Sequence, residues 1–189
     1  MEQWILDKQF IRRKLEVSNP EGGISGAQLV HELKQKFKGI EARTAGFQTV
    51  QIDTSPEYIV DIVKMLDAAY SDLFPETILG VDLEDSGFEV IYYFWSHSNQ
   101  VLCQIRVPLP VDTPTIPSIS DIFPGMEWHE RETHEMFGVY FEGHPDLRLL
   151  LLPEELEGKY PLRKSFKTDR SRLEETEVKS TTSDGGANR

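Results

Sequence analysis

The strongest constraint on the fold is a succession of three β-rich runs joined by two turns of four residues each. The runs cover residues 77–83, 88–95 and 100–108, and the turns between them read EDSG and SHSN. β-Branched and aromatic residues bounded by Gly, Ser, Asn and Asp are typical of strands and their turns. Turns this short leave no room for a crossover, so we expect neighbouring runs to pair antiparallel. The middle of the chain therefore predicts an antiparallel meander.

The last run of this meander contains the single cysteine of the chain. Val101, Cys103, Ile105 and Val107 are two residues apart, so they lie on one face of the strand. We therefore interpret Cys103 as an inert thiol buried in the core. One cysteine cannot form an intramolecular disulfide, and an iron–sulfur cluster normally needs four thiolates. The chain is accordingly predicted to hold no such cluster by itself.

Helical spacing precedes the meander. Apolar residues three and four apart predict a helix over about residues 26–38, which Gly39 ends. Residues 47–53 alternate as a strand does. Ser55 and Pro56 then introduce a second helix, because Ser is a frequent N-cap and Pro suits the first helical position.

The region after the meander is predicted to be extended at first and then helical. Four prolines between residues 108 and 117 predict an extended connection in which the sheet has ended, because proline lacks an amide donor. Residues 124–137 predict a third helix, which Gly138 ends. Within it Arg131 is four residues from both Glu127 and Glu135, a spacing that favours ion pairs along the helix.

These elements predict an α+β fold with a mostly antiparallel four-stranded sheet and helices on one face. Residues 1–147 are expected to form the body, which includes the third helix and the segment after it. Residues 148–189 are expected to form an extended C-terminal docking arm with a disordered end, because residues 180–189 are rich in Ser, Thr, Gly and Asp.

Charge is distributed unevenly along the chain. The 189 residues carry a net charge of −12, which argues against nonspecific nucleic-acid binding. Residues 41–100 contain eleven acidic and two basic residues, whereas residues 159–172 contain six basic residues and one acidic residue. Apolar runs are too short to cross a bilayer, and the charges of Glu2, Asp7 and Lys8 fall where a signal peptide needs apolar residues. We therefore expect a cytoplasmic protein.

The third predicted helix holds the residues that invite a chemical interpretation. His129 and His134 are five residues apart, which places them on different sides of a helix and disfavours a zinc site. Glu130 and Glu132 could form an acid–base pair, but a solvated helix face explains them better. No Walker sequence, nucleophile elbow or dinucleotide-binding loop occurs. From the residues alone we predict no metal, no cofactor and no catalytic group.

Two segments around this helix nevertheless carry a specific resemblance. Residues 130–138 read ERETHEMFG, residues 141–148 read FEGHPDLR, and residues 160–164 read YPLRK. This pattern resembles the thirty-kilodalton subunit of NADH:quinone oxidoreductase, or respiratory complex I. The family usually has aspartate where Glu135 stands and a second arginine where Leu149 stands. The HEMFG variant is more similar to the related subunits of archaeal membrane-bound, energy-converting hydrogenases.

The resemblance implies a non-catalytic, cofactor-free subunit in the peripheral arm of a membrane-associated, ion-translocating oxidoreductase complex. Such a subunit lies on the cytoplasmic side of the membrane and docks on a hydrogenase-like large subunit, beside iron–sulfur subunits. The complex would transfer electrons from NADH, ferredoxin or a similar donor to quinone, protons or sulfur compounds. The expected partner-docking residues are those of the shared motifs: Glu130, Arg131, Glu132, Gly143, His144, Pro145, Asp146, Arg148, Pro161, Leu162, Arg163 and Lys164.

One alternative from another class stays open at this point. The chain could be a free-standing soluble enzyme whose pocket uses a cluster of histidines and acids, namely His129, His134, His144, Glu130 and Glu132. The basic stretch after residue 159 favours the subunit, because a monomeric enzyme has no evident use for it.

Overall fold

The structure is a computed structural model that describes residues 24–46 and 48–167. Its helices are α1 (Gly26–Lys36), α2 (Ile59–Ala69) and α3 (Glu127–Phe137). Its strands are β1 (Glu41–Thr44), β2 (Thr49–Asp53), β3 (Leu73–Asp82), β4 (Phe88–Ser96), β5 (Val101–Leu109), β6 (Thr115–Pro117) and β7 (Tyr140–Glu142). None of the described helices is both long and apolar enough to cross a membrane.

The main sheet has five strands in the order β1-β2-β5-β4-β3. The meander β3–β4–β5 is antiparallel, as predicted, and β1 also pairs antiparallel with β2. β2 and β5 pair in parallel, with Val50 beside Cys103. The α+β class and the mostly antiparallel sheet are thus confirmed, whereas the number of four strands is wrong.

The missed strand is β1, whose sequence is EART. Only Ala42 of its four residues is buried, so the strand has no apolar alternation to reveal it. Its backbone pairs with β2 from Glu41 opposite Asp53 to Thr44 opposite Val50. An edge strand of this kind depends on its neighbour rather than on its own side chains.

A second, smaller sheet forms where the sequence predicted only an extended connection. β6 lies within the proline-rich stretch and pairs in parallel with β7, Ile116 beside Phe141. Both side chains are fully buried. This pairing brings the segment after α3 back against the segment before it, and it positions the site described below.

Local signals set the start of α1 and the end of α3, whereas α1 ends at Lys36 with Phe37 as its C-cap, before the predicted Gly39. Ser25 caps α1 through a capping box with Gln28, whose side chain accepts from the Ser25 amide. α3 begins three residues later than predicted, after a 3-10 turn at Pro124–Met126. Gly138 ends it in the left-handed conformation, with φ of 74°.

The core lies between the helices and one face of the main sheet. On that face Val50, Ile52, Tyr92, Cys103 and Ile105 are all buried, and the buried side chains of α1 and α2 join them in one cluster. Cys103 is fully buried, as predicted, and burial raises the pKa of its thiol to about 12. The other face of the sheet is only partly covered by described residues.

The C-terminal segment is described as far as residue 167, and it runs over the body. It contains a short 3-10 turn at Glu154–Leu156. The division into a body of residues 1–147 and an arm of residues 148–189 stays a prediction, and residues 168–189 lie outside the described part.

Candidate functional site

Glu130 lies at the centre of the site and is turned inward from α3. Its side chain is fully buried. The carboxylate accepts hydrogen bonds from the hydroxyl of Ser118 and from the amide of Ile119, the latter at 2.8 Å. Burial raises the pKa of this carboxyl to about 7, although both hydrogen bonds act in the opposite direction. Glu130 thus ties α3 to the residues that follow β6.

His144 closes the opposite side of this cluster. Its side chain is fully buried, and Nδ1 accepts a hydrogen bond of 3.0 Å from the amide of Asp146. Because a backbone amide can only donate, the proton of the neutral ring is on Nε2, which donates to the Glu127 carbonyl at 3.1 Å. The same Nε2 lies 3.9 Å from Oε2 of Glu130. The histidine therefore fastens the loop after β7 to the start of α3.

Arg131 and Glu135 hold the segment after that loop. The guanidinium of Arg131 donates to the carbonyl oxygens of Arg148 and Leu149, at 3.0 and 2.8 Å. One turn later, the carboxylate of Glu135 accepts from the amides of Leu150 and Leu151, at 2.8 and 3.0 Å. The ion pairs predicted along the helix are replaced by these contacts. The side chains satisfy backbone groups of an irregular segment that has no strand partner.

The loop between β7 and this segment contains a left-handed position that is occupied by glycine. Gly143 adopts φ of 85°, and no heavy atom would meet a Cβ there within 4 Å. Asp146 forms a two-pronged ion pair with the exposed Arg148, at 2.8 and 2.7 Å. These hydrogen bonds hold the pKa of the Asp146 carboxyl well below its usual range. Pro145 is exposed at the tip.

The YPLRK element binds to the body of its own chain. Arg163 donates to the carbonyl of Phe137 at 2.7 Å, and its guanidinium stacks on the rings of Tyr160 and Phe88, at 4.3 and 4.7 Å. The amide of Leu162 donates to the Met136 carbonyl at 3.2 Å. The element therefore covers the C-terminal end of α3.

The next residue along, Lys164, continues these contacts to the end of β3. Its amide donates to Asp82 at 2.8 Å, and its ammonium lies 2.9 Å from Glu84. Pro161 is half-buried, whereas the side chain of Leu162 is exposed. Of the predicted docking residues in this element, two cations are thus already paired within the chain.

The residues of the alternative enzyme pocket have mostly separate partners. Only His144 and Glu130 meet. Nδ1 of His134 lies 2.8 Å from the Val139 carbonyl, Nδ1 of His129 lies 3.5 Å from the Thr77 hydroxyl, and Glu132 is exposed. Among the described residues no group of three or more His, Cys, Asp or Glu could hold a metal ion.

Two residues of α3 are exposed, the apolar Trp128 and the acidic Glu132. Trp128 is 63% exposed, and the guanidinium of Arg131 stacks on its ring at 5.9 Å. Leu151, in the segment after the loop, is 62% exposed, and its backbone amide donates a hydrogen bond to Glu135. At the far end Leu162 is 56% exposed, next to a groove between α3 and β3 that is lined by Met136 among others. We call the three exposed side chains Trp128, Leu151 and Leu162 the α3 surface.

Sequence reasoning missed several members of this site. Trp128 and Leu151 lie inside or beside the quoted motifs, yet their exposure depends on contacts made by Arg131 and Glu135. Ser118 and Ile119 lie about twelve residues before Glu130 and carry no motif. One signal was available: Arg131 and Glu135 are four apart, so they point to the same side of the helix.

Comparison with known proteins gives a consistent result. The family model described as "Respiratory-chain NADH dehydrogenase, 30 Kd subunit" matches residues 52–172. An NADH-quinone oxidoreductase subunit of Roseiflexus castenholzii is 39% identical over 119 residues, which cover 61% of this chain and 68% of that protein. An F(420)H(2) dehydrogenase subunit of Methanosarcina mazei is 35% identical over 91 residues, which cover 48% and 58%. Against the relative from Methanosarcina the matched part is thus well under two thirds of the relative's length.

A solved structure extends the likeness to the fold. A chain in the structure of the membrane-bound sulfane sulfur reductase, described as an archaeal respiratory membrane complex, superposes with a TM-score of 0.68. The superposition covers 88% of this chain and 97% of that one, at 23% identity. At this identity the likeness concerns the fold.

Proposed function

This chain belongs to the family of the 30 kDa subunit of respiratory-chain NADH dehydrogenase, and on that premise we propose that it is a non-catalytic, cofactor-free subunit of a respiratory complex. In this role it docks on a hydrogenase-like large subunit in the peripheral arm, on the cytoplasmic side of the membrane. The complex couples electron transfer to ion translocation. This chain positions other subunits of the complex and catalyses no step itself.

The main support for this proposal is that the motif side chains of α3 bind within the chain while other side chains remain exposed. Its signature side chains Glu130, Arg131 and Glu135 all bind backbone groups of the same chain. A catalytic acid or base must reach a substrate, whereas these three side chains are already engaged in hydrogen bonds within the chain. Three large apolar side chains on or near α3, those of the α3 surface, are each more than half exposed, and the acidic Glu132 is exposed as well. Exposed large apolar residues of this kind are typical of protein interfaces.

Arg148 extends this surface with charge. It is 87% exposed in its side chain and is aligned by Asp146, so it is preorganised for a carboxylate or carbonyl on a partner. Glu132 and Pro145 are also exposed. Among the predicted docking residues, Arg148, Glu132 and Pro145 are therefore accessible to a partner. Glu130 and His144 have buried side chains that hold the loops in place. Leu162 belongs to the α3 surface, and Arg163 and Lys164 hold its segment against the end of α3 and the end of β3. Gly143 provides the left-handed turn of the loop after β7.

The names of the similar proteins mention NADH with quinone, F(420)H(2), and sulfane sulfur. A subunit that only positions other subunits suits a complex with any of these donors and acceptors.

The test is co-purification of the large subunit with a tagged copy of the full chain. Trp128→Ala combined with Leu151→Ala is expected to reduce the recovered large subunit strongly, because exposed aromatic and aliphatic anchors dominate interface energies. The matched control is Tyr140→Ala combined with Val111→Ala, since these are also one aromatic and one aliphatic residue about half exposed. Undiminished recovery with the first pair, at unchanged melting temperature, would exclude the α3 surface as the docking site.

A further inference from the structure

A narrow groove runs between α3 and β3. It has a volume of about 230 Å³, and its walls are residues 77–80 of β3 and the side of α3 that carries His129, Glu132 and Met136. These three residues are three and four apart, so they share one face of the helix. Small-molecule sites usually measure about 300–1,000 Å³, so this groove suits the side chains of a protein better than a free small molecule. We call it the α3–β3 groove.

Close contacts between α3 and β3 end the groove on both sides. At one end the Thr77 hydroxyl lies 3.5 Å from Nδ1 of His129. At the other end a Cβ on Gly80 would lie 2.5 Å from the Phe137 ring, so the helix packs this closely only because residue 80 is glycine. The strand from Thr77 to Gly80 spans about 10 Å. The groove is therefore about as long as an extended segment of three or four residues.

β3 borders the groove as an edge strand. It is the last strand of the main sheet, where its partner is β4. Within residues 24–46 and 48–167, no other backbone–backbone hydrogen bond involves residues 77–80. An edge strand presents unpaired N–H and C=O groups on its free side. The pairing with β4 shifts register between Pro75 and Thr77, and proline lacks an amide, so the usable edge starts at Thr77. From there an extended peptide can hydrogen-bond to the backbone of β3.

The charge that remains unpaired at the groove is negative. The Glu132 side chain is exposed, and none of the described residues forms an ion pair or a hydrogen bond with its carboxylate. The two cations of the YPLRK element are already engaged. Arg163 donates to the Phe137 carbonyl at 2.7 Å. The ammonium of Lys164 lies 2.9 Å from Glu84. The complementary side chain on a partner is therefore a lysine or an arginine.

The groove also exposes apolar side chains. Leu79 is 45% exposed on the β3 side, and Leu162 is 56% exposed next to the helix wall. Met136 is half-buried in that wall, and its carbonyl accepts from the amide of Leu162. Because Leu162 also belongs to the α3 surface, the groove continues that surface toward the edge of the main sheet.

We propose that the α3–β3 groove binds an extended segment of the large subunit. This segment adds a short strand to the edge of β3, places an apolar side chain against Leu79 and Met136, and directs a lysine or an arginine to Glu132. In strand addition, backbone hydrogen bonds give affinity and pockets for alternate side chains give specificity. The inference rests on the proposed function, because it names the chemistry by which this chain recognises that partner.

Photocrosslinking within the complex tests where the segment binds. p-Benzoylphenylalanine replaces Leu79 in a tagged full chain, and in the matched control it replaces Val111, which is also 45% exposed. We expect irradiation to link position 79 to a peptide of the large subunit in which a lysine or an arginine adjoins the linked apolar residue. Position 111 should give no such link. Amides of residues 77–80 should also exchange about tenfold more slowly in the complex than in the free chain, because an added strand protects them.

Charge reversal tests the cation on the partner. Glu132→Arg should weaken binding of the large subunit about fivefold at low salt, and the difference should disappear in about 0.5 M salt, which screens exposed charges. Glu142→Arg changes another exposed acid outside the groove, and this control should bind like the wild type. Unchanged melting temperatures show that both variants fold.

The inference is overturned, with the docking role intact, if the large subunit co-purifies but position 79 does not link to it. Free-chain exchange rates for residues 77–80 in the complex overturn it too, as does equal binding by Glu132→Arg and Glu142→Arg. A link that forms in the isolated chain, to a second copy or within the chain, assigns the groove to another occupant and also overturns it. If no large subunit co-purifies with the wild-type chain, both the proposed function and this inference are wrong.

Discussion

Replacing Glu130 by glutamine should change the pH dependence of folding stability in a defined direction. Glutamine keeps the shape: its one carbonyl oxygen accepts from the Ile119 amide, its NH2 group donates to the Ser118 hydroxyl oxygen, and it cannot titrate. His144 is the same in both proteins, and its Nδ1 accepts from the Asp146 amide in the folded chain. The difference between wild type and Glu130→Gln therefore isolates one buried carboxyl.

The sign follows from linkage between proton binding and folding. The pKa of Glu130 rises from an ordinary 4.5 to about 7 in the folded chain, so between these values the native state holds a proton that the unfolded state has released. Stability from this group is present below pH 4.5 and is lost as pH rises through 7. At about 1.4 kcal/mol for each pKa unit, the loss amounts to about 3 kcal/mol. Wild type should therefore gain about 3 kcal/mol over Glu130→Gln between pH 8 and pH 4.5.

Urea unfolding of both proteins at several pH values measures this difference by linear extrapolation. Other carboxyls titrate in both chains and cancel in the subtraction. Glu132→Gln, an exposed change on the same helix, is the control and should track the wild type at every pH. A constant difference between wild type and Glu130→Gln from pH 8 to pH 4.5 would refute the reasoning and imply that water reaches the carboxylate.

Three further predictions concern other parts of the site. Gly138→Ala should lower the melting temperature and speed amide exchange in residues 160–166, because its Cβ would lie 2.5 Å from the guanidinium of Arg163; Gly125→Ala, with open space around it, should do neither. Gly143→Val should reduce the yield of assembled complex more than Glu142→Ala, because φ of 85° costs a β-branched residue roughly 1–2 kcal/mol; equal yields would make this turn an ordinary loop. The purified chain should contain no stoichiometric iron or flavin by elemental analysis and absorbance, and a stoichiometric amount of either contradicts the cofactor-free role.

The sequence predicts those parts of the fold that depend on neighbours along the chain. The meander of β3, β4 and β5 follows from alternation and two short turns, and the burial of Cys103 follows from its phase in that alternation. The end of α3 follows from Gly138, since glycine adopts the left-handed cap without steric cost. Each signal lies within a few residues of the structure that it determines.

Tertiary structure alone decides the elements that depend on distant partners. β1 has no pattern of its own and forms against β2, and β2 pairs in parallel with β5, some fifty residues away. The motif residues can be recognised in the sequence, but their hydrogen-bond partners cannot. Glu130 binds at the end of β6, and Arg131 and Glu135 bind the backbone of residues 148–151. Periodicity predicts which side of an element is buried. It does not predict which backbone group a buried charged side chain binds, because that depends on how distant segments pack. For that reason the sequence by itself determined the meander, the end of α3 and the family signature. Only the packing of the loops around α3 decided which side chains bind within the chain and which remain exposed to a partner.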